Sequence, residues 1–139
     1  MRLDKVARRA RLKALSEKDD ICSLLFEYDK TRRACRVFLE WLKNMDGEAT
    51  RSEVSQFGRD LQAGKIKKGF RYSRNNFYRV LLRRLVDLGF IGLQNRFEKG
   101  RIIQKYTPIM QPIPTRAPGG RNFWNLAWQL CQKWNQEWR

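Results

Sequence analysis

A chain of 139 residues, 42% of them apolar, is long enough for one domain with appended helices and too short for two full ones. Its net charge of +16, from 30 Lys and Arg against 14 Asp and Glu, is far more than solubility requires, and the absence of His removes the commonest general base and the usual zinc ligand sets. No run of about 18 apolar residues occurs, and the amino terminus is charged where a signal peptide would be apolar, so a cytoplasmic, nucleoid-associated protein without a membrane role is expected.

Residues 1–15, MRLDKVARRARLKAL, hold six basic residues and one acidic residue, with Leu3, Val6, Ala10 and Ala14 on a weak apolar stripe. This composition fits an arm that turns helical against nucleic acid, or one that is simply solvated; the large apolar face needed to lie on a membrane is missing. Ser16 to Asp19 has the form of a capping box, opening a helix with Ile21, Leu24, Leu25 and Tyr28 turned inward. Asp29 or Thr31 opens the next helix, in which Cys35, Phe38, Leu39 and Leu42 recur at helical intervals before a stop at Gly47. Thr50 and Glu53 form a second capping box, and Val54, Phe57, Leu61 and Ile66 give that helix its buried side. It reads as a brace whose first turn, Arg51 and Ser52, can meet a phosphate. GKIKKGFRYS, from Gly64 to Ser73, is a basic linker.

From Tyr72 to Pro108 the pattern predicts one helix, a glycine stop and a hairpin. Ser73 is a good N-cap and Gly89 suits a left-handed stop, so the helix should run from about Arg74 to Leu88. At 100° per residue, Phe77, Tyr78, Leu81, Leu82, Leu85 and Leu88 share one arc, and Asn75, Asn76, Arg79, Arg83 and Asp87 lie opposite. Phe90, Ile91 and Leu93, then Ile102, Ile103 and Tyr106, form two strands about a Glu98-Lys99-Gly100 turn, with Arg96, Lys99 and Arg101 at the tip. Residues 65–105 hold twelve basic and two acidic residues, against eight and ten over 16–64. Charge clustered in this way is the footprint of a polyanion partner, since each neutralised phosphate releases condensed counterions.

A helix showing Asn and Arg to solvent and running through LVDLGFIGL into a basic hairpin resembles the recognition helix and wing of the winged helix-turn-helix superfamily. The resemblance implies a mainly α fold with a small β-hairpin. Its parts would be a basic arm and helix at 1–29, a winged core at 30–108, a Pro/Gly linker at 109–120 and a Trp-rich helix at 121–139.

In that last helix, capped by Asn122, the residues Phe123, Trp124, Ala127, Trp128, Leu130, Cys131, Trp134 and Trp138 fall on about half the circumference. Such a face must be covered, by the chain's own helices or by a second subunit in a homodimer. Cys22, Cys35 and Cys131 are widely spaced among apolar residues and read as reduced core positions.

No nucleotide-binding glycine loop or acidic cluster beside the basic surface is present, so no enzyme activity, metal or cofactor is expected. The resulting expectation is a sequence-specific double-stranded DNA-binding protein, most simply a transcriptional regulator. Asn75, Asn76, Arg79 and Arg83 would contact bases in the major groove. Lys65, Lys67, Lys68, Arg71, Ser73, Arg74, Arg96, Lys99 and Arg101 would contact backbone or form the wing. A replication-initiator or partition accessory protein is an alternative of the same chemistry. A basic RNA-binding assembly factor is one of a different class, although an RNA shape-binder has no need of the amides.

Overall fold

The computed structural model of the chain describes residues 20–112 and 123–139, the stretch 123–126 by its backbone alone. The arm at 1–15, the Ser16–Asp19 box, most of the Pro/Gly linker, the Asn122 cap and the side chains of Phe123 and Trp124 lie outside the described residues. The fold is mixed, mainly helical with a small three-stranded antiparallel sheet. It divides into two compact units, Arg33–Ile109 and the remainder.

In the 33–109 unit, helix α2 (Asp29–Asn44) contributes Ala34, Cys35, Phe38, Leu39 and Leu42, all buried. It stops because Asp46 and Gly47 both turn left-handed, at φ 60° and 78°, which lets the Gly47 amide donate back to the Leu42 carbonyl at 2.9 Å. Strand β1 is only Ala49–Thr50. Thr50 then caps helix α3 (Arg51–Ala63): its hydroxyl accepts from the Glu53 amide at 3.1 Å, and the Glu53 carboxylate accepts from the Thr50 amide at 2.9 Å. Val54, Phe57 and Leu61 are buried as their spacing predicts. Ile66 is not on this helix, because Gly64 at φ 78° ends it and takes the chain away two residues earlier.

The stretch 64–73 is not a loose linker. Phe70 and Tyr72 are buried, Phe70 under the Arg33 guanidinium at 4.7 Å from its ring centre, and the Tyr72 amide donates to the Leu61 carbonyl at 3.3 Å. Helix α4 follows in three pieces, Arg74–Asn76, a π-wound segment Phe77–Leu82 and Arg83–Asp87. Its end is fixed by Gly89 at φ 78° and by the Phe90 amide donating to the Leu85 carbonyl at 3.0 Å. Strands β2 (Ile91–Glu98) and β3 (Arg101–Pro108) then pair from Ile91↔Pro108 to Glu98↔Arg101. Ala49↔Tyr106 and Thr50↔Lys105 add β1 on the other side of β3, giving the order β1-β3-β2.

In the other unit, Asp20 caps helix α1 (Ile21–Leu25) by accepting from the Ser23 amide at 2.9 Å. Ile21, Leu24 and Leu25 are buried, but Tyr28 is 71% exposed. It lies in the bend after α1 and off the helix, and Phe26 takes the buried position instead. Helix α5 (Phe123–Glu137) packs against α1, with Leu130 and Trp134 buried and Trp138 beside Trp134 at 5.7 Å between ring centres. Asn135, also buried, holds Gln111 by both backbone groups at 2.8 Å each. Trp128 and Cys131 are half-buried, and burial pushes the Cys131 thiol above its ordinary pKa. Cys22 and Cys35 are buried, and none of the three cysteines is in a disulfide.

Candidate nucleic-acid interface

What positions α4 is an aromatic cluster. Phe77 meets Phe38 of α2 and Phe57 of α3 at ring-centre distances of 5.2 and 5.4 Å, Trp41 lies tilted against Phe57 at 4.7 Å, and Tyr78 extends the group. Gly58 allows this approach, since a Cβ there would lie 3.3 Å from the Phe77 ring and 3.4 Å from Arg74 Cγ. With Leu81, Leu82 and Leu85 also buried, one side of α4 is committed to the core.

The apolar positions 77, 81 and 85 recur every four residues. In a regular α-helix each such step overshoots a full turn by about 40°. The π segment carries more residues per turn and takes up part of that drift, keeping the three side chains over the core. The opposite side presents Asn75, Asn76, Arg79 and Arg83, all exposed. Ser73 accepts from the Asn76 amide at 3.3 Å and so acts as the N-cap, while Arg83 lies 3.6 Å from Asp87.

Two arginines from the expected backbone set are engaged within the protein. Arg74 turns inward, donating to the Ser55 hydroxyl at 3.1 Å and packing over Tyr78 at 5.6 Å from its ring centre. Arg96 is not at the hairpin tip: it sits three residues back on β2 and holds Glu48 at 2.6 Å. Arg71 lies across Gly64, where a Cβ would approach its Nε to 3.1 Å. Lys65, Lys67, Lys68, Lys99 and Arg101 are exposed.

The local acids are neutralised in place. Asp87 is near Arg83, Glu48 meets Arg96, and Glu98 accepts from Lys105 at 2.6 Å, a bond that raises the Lys105 pKa above its ordinary value. Tyr106, half-buried on β3, is held protonated by desolvation, with Arg51 partly opposing.

Several features of this face were not expected from the sequence. Phe70 and Tyr72, which anchor the entry to α4, read only as part of a linker. The exposed amides Asn95 and Gln104 and the exposed Phe97 give no sequence signal in strands whose alternation near the turn serves no core, and Ile102, legible as a strand residue, is exposed beside Phe97. Among the described residues no group of three or more Cys, Asp or Glu is placed to hold a metal, and no helix is long and apolar enough to cross a membrane. A scan against protein-family models, a search of curated proteins and a search of solved structures each returned no match.

Proposed function

We propose that the chain is a sequence-specific double-stranded DNA-binding protein, most simply a transcriptional regulator, whose 33–109 unit is a winged helix-turn-helix domain. The observation that carries this reading is the two-sided character of α4. Phe77, Leu81, Leu82 and Leu85 lock one side into the core, and Asn75, Asn76, Arg79 and Arg83 stand free of it on the other. Amide side chains there match the adenine N6 and N7 pair, and guanidinium groups match guanine O6 and N7 or a phosphate.

Further support comes from the order helix, short strand, helix, helix, hairpin with sheet order β1-β3-β2, which is the arrangement of winged domains. The hairpin is then the wing, with Lys99 and Arg101 on the DNA backbone, and Lys65, Lys67 and Lys68 supply flanking phosphate contacts. Arg74 and Arg96 drop out of the contact set, because each already has its partners within the domain. Selection of bound sequences from a random duplex pool tests the reading. An enriched site is expected, and recovery of no sequence together with equal binding to RNA contradicts it.

A further inference from the structure

The outer half of the hairpin has two unlike faces. The two-residue turn Lys99-Gly100 closes on Glu98↔Arg101, so the next pair, Phe97↔Ile102, is of the non-hydrogen-bonded kind in which facing side chains approach most closely. Phe97 is 76% exposed and Ile102 67%, and together they form one apolar ridge beside the tip. One step toward the base on the same face, Asn95↔Gln104 presents two exposed amides. The opposite face carries Glu98, Arg101, Arg96 and Lys105.

Scattered exposed apolar side chains need no explanation, but a paired ridge held away from the core does. The charge around it indicates the occupant. Lys99 stands in the turn beside the ridge, Arg101 lies on the opposite face, and Glu98 is bonded to Lys105, so the tip is cationic. Apolar wedge, adjacent amides and a cationic tip form the set by which proteins enter the minor groove, read its acceptor edge and unstack a base step.

We propose that Phe97 and Ile102 form a minor-groove wedge that kinks the DNA beside the site read by α4, with Asn95 and Gln104 on the groove floor and Lys99 at the tip on its phosphate wall. This rests on the DNA-binding reading above. It adds a preference for flexible pyrimidine–purine steps at positions no α4 side chain touches, because the cost of unstacking depends on the step.

The test is the end-to-end distance of a dye-labelled duplex carrying the selected site, with the parent and with Phe97→Ala/Ile102→Ala. Both side chains are exposed, so the variant should melt like the parent. The parent should bend the duplex by roughly 20 to 90°. The variant should bind the same sequence roughly ten- to hundredfold more weakly and leave it straight. A mismatch placed at the wedge step, which lowers the unstacking cost, should tighten the parent and not the variant.

A straight duplex under the parent, or equal bending by both proteins, overturns the wedge and leaves the DNA-binding reading standing. A fall in mass of the variant on sedimentation also overturns it, by showing that the ridge is covered by a second copy. If the parent binds no duplex at all, the DNA-binding reading falls and the wedge with it.

Discussion

Arg74 and Arg79 are separated by little more than one helical turn, yet Arg74 is engaged within the domain and Arg79 is exposed. Arg74 bonds Ser55 and packs on Tyr78, so Arg74→Ala should cost about 1 to 2 kcal/mol of stability through lost packing and a lost hydrogen bond. Thermal melting measures this, and the salt dependence of DNA binding should be unchanged. Lys67 and Lys68 should behave in the opposite way. Neutralising each should leave the melting temperature nearly constant and reduce the slope of log affinity against log salt by about one; an unchanged slope would place that lysine away from DNA. The Arg96–Glu48 pair is about one-third exposed on both sides, so solvent screening limits it to about 0.5 to 1 kcal/mol. Sequence alone cannot sort these cations, since the partners that engage Arg74 and Arg96 lie 19 and 48 residues away.

Among the elements, the local signals were readable and the long-range ones were not. Thr50 with Glu53, Ser73, Gly47 and Gly89 announce helix ends because caps and left-handed stops are decided within a few residues. Strand β1 has two residues and no alternation to detect, so only its pairing with Tyr106 and Lys105 reveals it. The π winding of α4 likewise answers to a core assembled from α2 and α3. At Gly58, filling the space against the buried Phe77 ring outweighs any helix-propensity gain, so Gly58→Val should lower stability by about 1 to 3 kcal/mol in denaturant melts. The hairpin turn offers the reverse case. Lys99 holds φ 51° and Gly100 φ 79°, both left-handed, where Asn at the first position is favoured over Lys. Lys99→Asn should therefore raise the melting temperature of the domain while weakening DNA binding by one lost charge; a lowered melting temperature would contradict the turn assignment.

For the molecule as a whole, the tryptophan face of α5 was legible as something that must be covered, but not by what. Trp134 is fully buried and α5 packs on α1, so Trp134→Ala should cost about 3 to 5 kcal/mol and lower the melting temperature. We retain the homodimer as a proposal, tested by Trp124→Ala with Trp128→Ala. A folded protein of half the mass with weaker DNA binding supports it, and an unchanged mass with a lowered melting temperature assigns those side chains to their own chain. Asymmetric charge completes the picture, because residues 65–105 carry twelve basic and two acidic residues and include both the exposed face of α4 and the hairpin.

The central claim is that α4 reads bases through the side chains it turns away from the core, and repeating the duplex selection with Asn76→Ala and with Arg79→Ala tests it most directly. Each substitution should change which bases are enriched at one or two positions, by roughly 1 to 3 kcal/mol per lost contact, while the rest of the selected site persists. Uniform weakening on every sequence, with the enriched site unaltered, would contradict the claim.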